Sequence, residues 1–295
     1  FMLTIAWALG LYLPIQLYGS VGEMFAQIHA ENPDLLSLPG LTSSGTRWTW
    51  GGYSSAILVS AIGLMMWPHL FMKAFTAKDD RTLRRTVVLF PTFQIFLIPV
   101  FLIGFSGVLF PGTPSEPDFV MPMMVLETGL PALVVGLFCA GALSASMSTG
   151  DALLHAAASV AVEDGITQFA DLTEKTRTTL MRLILIVVAI IAYYFAITDN
   201  QSLVVLLLTA YGIICQLAPT VGAAIYWKRA TTAGAVAGLV AGSATAIFFF
   251  LNGDLRPFDL HEGVLGLLVH LPVLIGVSLM TPAQDDGHVE ALVKA

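Results

Sequence analysis

The segment Cys139–Gly165, CAGALSASMSTGDALLHAAASVAVEDG, combines an apolar helix pattern with oxygen-bearing side chains. Ser148 and Thr149 are adjacent, and Asp151 follows within the same helical turn. Small residues fill the preceding turns and allow helices to pack closely in lipid. Oxygen groups are costly in hydrocarbon unless they face a partner, a cavity or an ion. The segment therefore predicts a membrane helix with an intramembrane cation site.

The composition of the 295-residue chain is that of a membrane protein. Hydrophobic residues make up 56% and charged residues 11%, with a mean hydropathy of +0.81, whereas soluble domains have about 25% charged residues. Apolar segments of about 20 residues, the length that crosses a bilayer, recur along the chain. We expect one all-α polytopic membrane domain over 1–295. The eight predicted spans are 1–28, 54–77, 87–110, 131–161, 178–197, 202–227, 231–251 and 263–281.

The basic residues predict the orientation of these spans. If the segment after the first helix is outside, all of the 13 Lys and Arg residues except Arg47 and Arg256 fall on one side. An excess of Lys and Arg marks the cytoplasmic side of a membrane protein. The side with KDDRTLRR (Lys78–Arg85) is therefore predicted to be cytoplasmic, and the protein to be a multi-pass protein of the plasma (inner) membrane.

Proline and glycine predict where helices break and pack. Pro14 is expected to interrupt the first helix and Pro68 the second, because proline removes a backbone donor and clashes one turn back. Gly234, Gly238 and Gly242 are spaced by four and lie on one helix face. This row is expected to serve packing within the fold.

Two interpretations of the Ser148-Thr149 pair remain open from spacing alone. Both hydroxyls could reach one ion, with the carbonyl of Ala145 on the same side of the helix. Hydroxyls and backbone carbonyls are suitable ligands for a hard cation of moderate charge. Alternatively, each hydroxyl bonds to the carbonyl four residues earlier, which is common in membrane helices.

Asp151 permits three interpretations. A carboxylate at this depth costs roughly 2.5–3.5 kcal/mol on insertion scales, and His155 is four residues later on the same face. The pair could form a second cation site, a proton acceptor or a structural Asp–His pair. Gln94, Tyr211 and Gln216 are further polar groups at interior depth, and helix–helix hydrogen bonds explain them equally well.

The sequence has no motif for soluble-enzyme chemistry. It lacks a phosphate-binding glycine loop, an HExxH pair and a CxxC pair. Cys139 and Cys215 lie in predicted helices and are expected to be packing residues. The chain is therefore predicted not to be an enzyme.

Three segments resemble the sodium:solute symporter family. MSTGDALLHAAASVAVED (Met147–Asp164) is similar to its Ser-Thr helix, which ends in acidic residues. MMWPHLFMKAFTAKDDRTLRR (Met65–Arg85) is similar to its Pro-His segment, and APTVGAAIYWKRAT (Ala218–Thr231) adds a third match. The order and spacing of the three carry the resemblance.

The resemblance implies part of a five-plus-five inverted-repeat fold, as in the leucine transporter. Helix 1–28 would be the last helix of the first repeat, 54–227 the second repeat, and 231–281 accessory helices. The other helices of the first repeat would precede Phe1, so the chain is expected to be the later part of a longer protein.

The resemblance also implies site residues. Ser148 and Thr149 would be hydroxyl ligands of sodium, Ala145 its carbonyl ligand, and Asp151 a ligand of a second sodium. The residues that would line the substrate site are Ser60, Gly63, Leu64 and Gln94.

The implied function is sodium-coupled import of a small organic solute, with Na⁺ and the lipid bilayer as partners and no nucleic acid. A monocarboxylate or a pantothenate-like anion is the first expectation, and proline-like amino acids and sugars remain open. One alternative is a proton-coupled transporter that uses Asp151 and His155. Another is a membrane sensor module of a histidine kinase with the same fold.

Overall fold

The computed structural model describes residues 2–42, 45–112, 117–198 and 202–283, and every regular element in these ranges is a helix. The α-helices are α1 (Met2–Tyr18), α2 (Val21–Glu31), α3 (Trp50–Met66), α4 (Pro68–Phe75), α5 (Asp80–Phe93), α6 (Leu97–Ser106), α7 (Val120–Glu127), α8 (Ala132–Ser159), α9 (Glu174–Thr198), α10 (Leu203–Ile214), α11 (Leu217–Tyr226), α12 (Thr232–Leu251) and α13 (Glu262–Met280).

Six helical stretches are long and apolar enough to cross a membrane. They are Asp80–Ser106, Ala132–Gln168, Glu174–Thr198, Leu203–Tyr226, Thr232–Leu251 and Glu262–Met280. Two shorter apolar helices, Thr4–Tyr18 and Trp50–Met66, lie where the other two spans were predicted. The prediction of an all-α, multi-pass membrane protein is confirmed.

The break predicted at Pro14 is wrong, and the one at Pro68 is confirmed. Helix α1 continues through the buried Pro14 and ends before Gly19, whose φ of +88° is a left-handed conformation that glycine adopts without strain. Proline is tolerated inside membrane helices because neighbouring groups satisfy the freed carbonyl. At the other break, Trp67 is extended (φ −60°, ψ 125°), as expected for a residue before proline.

The chain folds into two compact units. Unit 1 comprises the described residues of 1–43 and 72–202, and unit 2 those of 44–71 and 203–295. In unit 1, α1 packs against α6 and α8. The Tyr18 hydroxyl donates to the Ser106 carbonyl at 2.7 Å, which joins the ends of α1 and α6. The apolar core of unit 1 consists of Leu9, Leu13, Ile103, Phe110, Met124, Val125 and Phe138.

Helix α8 uses its apolar and small residues for packing. Phe138, Gly141, Ala156 and Ala158 are its buried residues. Beyond Ser159 the chain continues as a π-helical turn, and Glu163 in that turn pairs with Arg177 of α9 at 3.3 Å. Both side chains of this pair are about one-third exposed, so the pair contributes little stability.

Unit 2 is built around close packing of α12 on α13. A methyl group on Gly238 would lie 2.7 Å from His270 Cδ2, and one on Gly242 would lie 2.6 Å from Gln216 Oε1. Gly234 has no room for a methyl beside Ser278. The glycine row therefore makes space for polar side chains of neighbouring helices, which confirms that it serves packing within the fold.

Gln216 and His270 are fully buried, and each forms hydrogen bonds through one of its two polar atoms, whereas Gln216 Oε1 and His270 Nδ1 have no partner among the described residues. Gln216 lies at the break between α10 and α11, and its amide Nε2 donates to the carbonyls of Gly212 (3.2 Å) and Gly263 (2.8 Å). His270 Nε2 is 3.2 Å from the Thr220 hydroxyl. Because lipid offers no hydrogen bonds, such pairs are how a broken or polar span is accommodated. The expectation of helix–helix hydrogen bonding is confirmed for Gln216.

A second polar cluster fixes the start of α13. His261 caps the helix, since its Nδ1 accepts the Gly263 amide hydrogen at 3.1 Å, and its own backbone N–H donates to Ser55 Oγ at 2.8 Å. Glu262 is 3% exposed and pairs with Arg256 at 3.0 Å. This cluster joins α13 to α3.

We expect Gly238→Ala to lower the stability of the protein by about 1–3 kcal/mol, because the added methyl has no space beside His270 and Leu274. The measurement is the melting temperature of the purified protein in detergent. Gly276→Ala, on α13 with nothing within 4 Å of the added methyl, is the matched control and should be neutral or slightly stabilising. An equal loss in both variants would contradict this packing.

We expect acid to weaken unit 2 through His261. Burial lowers the pKa of His261 below its ordinary 6.5, although Glu262 opposes this. The unfolded chain then binds more protons than the folded one, so stability falls as pH drops below about 6.5. His261→Asn keeps a side-chain cap but does not titrate. Melting curves across this pH range should show a weaker pH dependence for this variant than for the exposed control His29→Asn, and equal dependence would refute the assignment.

Candidate functional site

Three oxygens of α8 come together at the candidate cation site. The Ser148 hydroxyl donates to the Ala145 carbonyl at 2.9 Å, and the Thr149 hydroxyl donates to the same carbonyl at 3.3 Å. The alternative of back-bonding to an earlier carbonyl is therefore realised. It does not remove the oxygens from use, because each hydroxyl oxygen keeps its lone pairs when it donates its proton.

These groups lie on a part of α8 that the described residues leave open. Ala145, Ser148, Thr149, Asp151 and His155 are all exposed, although they belong to the span Ala132–Gln168. Within the described residues, Asp151 and His155 form no hydrogen bond or ion pair, so the structural Asp–His pair is not formed there.

The geometry offers part of a coordination shell. Hard cations such as Ca²⁺ and Mg²⁺ take six or more oxygen ligands. Ala145, Ser148 and Thr149 would supply three once the two hydroxyl protons turn away from the Ala145 carbonyl, whose lone pairs they occupy. Asp151 begins about 3 Å further along the helix axis than Thr149 and adds negative charge. Among the described residues, no three His, Cys, Asp or Glu side chains are grouped to hold a metal.

The predicted substrate residues on α3 belong to unit 2. The Ser60 hydroxyl donates to the Ala56 carbonyl at 2.8 Å, and Leu64 is half-buried. Gly63 is buried, and a methyl group on it would lie 2.8 Å from the ring of Tyr211 on α10. Gly63 therefore has a packing role, as the position that admits the Tyr211 ring.

Gln94 belongs to unit 1. It begins a short 3₁₀ turn between α5 and α6, and its side chain is exposed. The turn interrupts the span Asp80–Ser106 between Pro91 and Pro99, and so leaves a polar amide at a bend in a membrane helix.

Sequence reasoning singled out Tyr211 but missed its contact with Trp67, and it missed two ionisable residues of unit 2. The rings of Trp67 and Tyr211 pack edge to face, with centroids 5.8 Å apart. The ring centroids of Trp67 and His69 are also 5.8 Å apart. The extended residue before Pro68 could have indicated this cluster. His270 and Glu262 were also missed, and their signal was an ionisable residue in or beside an apolar span.

Several curated proteins are similar to this chain. It is 30% identical to the uncharacterized symporter YhjB of Bacillus subtilis, over 95% of this chain and 59% of that protein. It is 24% identical to the osmoregulated proline transporter OpuE of the same species (94% and 57%). It is 25% identical to the sodium/pantothenate symporter of Haemophilus influenzae (86% and 52%). The chain spans a little over half the length of these relatives.

The match to a protein family covers most of the chain and includes α8. The profile of the sodium:solute symporter family matches residues 2–242, a range that extends from α1 into α12. It includes all three segments in which the resemblance was found by inspection. The chain belongs to the sodium:solute symporter family, a family of membrane transporters.

Proposed function

We propose that the protein is a sodium-coupled secondary symporter that imports a small organic solute across the plasma membrane, and that it transports rather than catalyses. The observation that carries this proposal is the cluster of Ala145, Ser148 and Thr149 oxygens on an open part of a membrane span. The two hydroxyls donate to the Ala145 carbonyl, and their oxygens keep lone pairs for a further partner. A sodium ion is the partner that family membership favours.

Sodium and solute transport would be coupled because both ligands prefer the same conformation of the protein. Sodium and solute both bind the outward-open form more tightly, so each raises the affinity of the other. Sodium enters down its gradient, and its release to the cytoplasm releases the solute. Because Ala145, Ser148 and Thr149 supply three oxygens at most, the remaining ligands would come from other parts of the transporter.

We assign the helices to repeats on the same basis. Residues 1–28 would be the last helix of the first repeat, 54–227 the second repeat and 231–281 the accessory helices. The discontinuities at Trp67 and at Cys215-Gln216 support this assignment, because broken spans are typical of inverted-repeat transporters.

The solute that we propose is a monocarboxylate or a pantothenate-like anion. Relatives include proline transporters and a pantothenate symporter, and both named solutes have a carboxylate. Helices α3 and α8 have no Lys or Arg. A carboxylate would therefore be met by Na⁺, hydroxyl groups and backbone N–H groups rather than by a basic side chain.

We expect Ser148→Ala and Thr149→Ala each to raise the sodium concentration needed for half-maximal uptake by about tenfold, which corresponds to about 1.4 kcal/mol for one lost ligand. The measurement is sodium-dependent uptake in proteoliposomes with a panel of carboxylates, amino acids and sugars. Ser146→Ala is the matched control, because Ser146 is exposed on the same helix and back-bonds to Ala142 at 3.0 Å.

The control should keep the sodium dependence of the unchanged protein. Normal sodium dependence in both ligand variants would contradict the assignment of the cation site. An equal loss in Ser146→Ala would indicate a general effect on α8 instead.

Proton coupling is the second candidate, and the exposure of both Asp151 and His155 in a span favours it. For a sodium symporter, we expect Asp151→Asn to keep uptake dependent on sodium and to weaken apparent sodium affinity by roughly tenfold, because a nearby negative charge is lost. Asp164→Asn, an exposed residue in the π-helical turn after α8, is the control. Uptake that a proton gradient drives without sodium, and that only Asp151→Asn abolishes, would establish proton coupling.

A further inference from the structure

Helix α5 presents three arginines on one face. Arg81, Arg84 and Arg85 have the i, i+3, i+4 spacing of helix neighbours, and all three are exposed. None of them forms a hydrogen bond or an ion pair with a described residue. Their guanidinium groups are therefore free to bind an external anion.

The same arginines line a surface recess of about 730 Å³. Its other lining residues are Asp80, Val88 and Leu89, so one end is charged and the other is apolar. Three positive charges against the one negative charge of Asp80 leave the charged end positive. A recess of this kind is complementary to a molecule with an anionic head and an apolar tail.

The position of the recess along the span supports this match. From Val87 to Ser106 the chain has about 20 residues, which as a helix would span about 30 Å, the thickness of the hydrocarbon core. The arginines lie in the two turns before Val87, at the level of lipid headgroups. Val88 and Leu89, whose side chains are 73% and 61% exposed, would then lie in the adjoining hydrocarbon.

We propose that this face of α5 is a binding site for an anionic phospholipid. The phosphate accepts hydrogen bonds from the guanidinium groups, which fit phosphate oxygens in a bidentate manner. The acyl chains lie against Val88 and Leu89. In a basic cluster next to a span, each arginine raises the affinity for acidic lipids by about fivefold.

Lipid retention tests this site independently of transport. The purified protein is reconstituted in vesicles of equal phosphatidylglycerol and phosphatidylcholine, extracted in mild detergent, and its bound lipids are quantified by native mass spectrometry. We expect a preference for phosphatidylglycerol that falls about fivefold for each of Arg81→Gln, Arg84→Gln and Arg85→Gln, until none is left in the triple variant. All three side chains are exposed, so the variants should fold, and size-exclusion chromatography checks this.

Two controls separate this site from general charge effects. Lys175→Gln with Arg182→Gln removes exposed basic residues of α9 and should leave the preference unchanged. Inorganic phosphate at millimolar concentration should not displace the lipid. An unchanged preference in the triple variant, an equal loss in the α9 variant, or displacement by phosphate would each overturn the proposal.

Discussion

Hydrogen bonding without water is the constraint on which the structure depends. Inside a bilayer backbone polar groups must find partners in the protein, and a polar side chain is costly without one. On α8, Ser148 and Thr149 use the carbonyl of Ala145. At the α10–α11 break, the side chain of Gln216 bonds to carbonyls of two helices. The same rule thus shapes the candidate ion site on α8 and the packing of α10 to α13.

The two units meet this constraint in different ways. The core of unit 1 is aliphatic and aromatic, and its polar residues are largely exposed on α8. Unit 2 instead encloses Gln216 and His270 at zero exposure. The glycines of α12 make this possible, because a residue with a side chain would fill the space that these polar groups occupy. Small residues therefore admit polar side chains here, in addition to bringing backbones together.

Hydropathy was enough to predict the spans, since the length and apolarity that cross a bilayer are local properties of the chain. The break at Pro68 was equally local. The continuation of α1 through Pro14 was not predictable, because it depends on burial against other helices. For the site, spacing left ion binding and back-bonding open for Ser148 and Thr149, and the structure shows that both hydroxyls bond to the Ala145 carbonyl. The packing of Gly63 on Tyr211 joins residues far apart in sequence, and no local pattern indicates it.

The Ala145 carbonyl accepts two hydroxyl protons at once, and this bears on how readily the proposed site would exchange its ion. Without a cation, α8 leaves neither hydroxyl proton unsatisfied, so the empty helix carries no penalty that binding must relieve. A cation bound at the proposed site would compete with the two hydroxyl protons for the Ala145 carbonyl, so binding would exchange hydrogen bonds for ion contacts. Such an exchange favours moderate affinity and rapid release, both of which the proposed transport cycle needs.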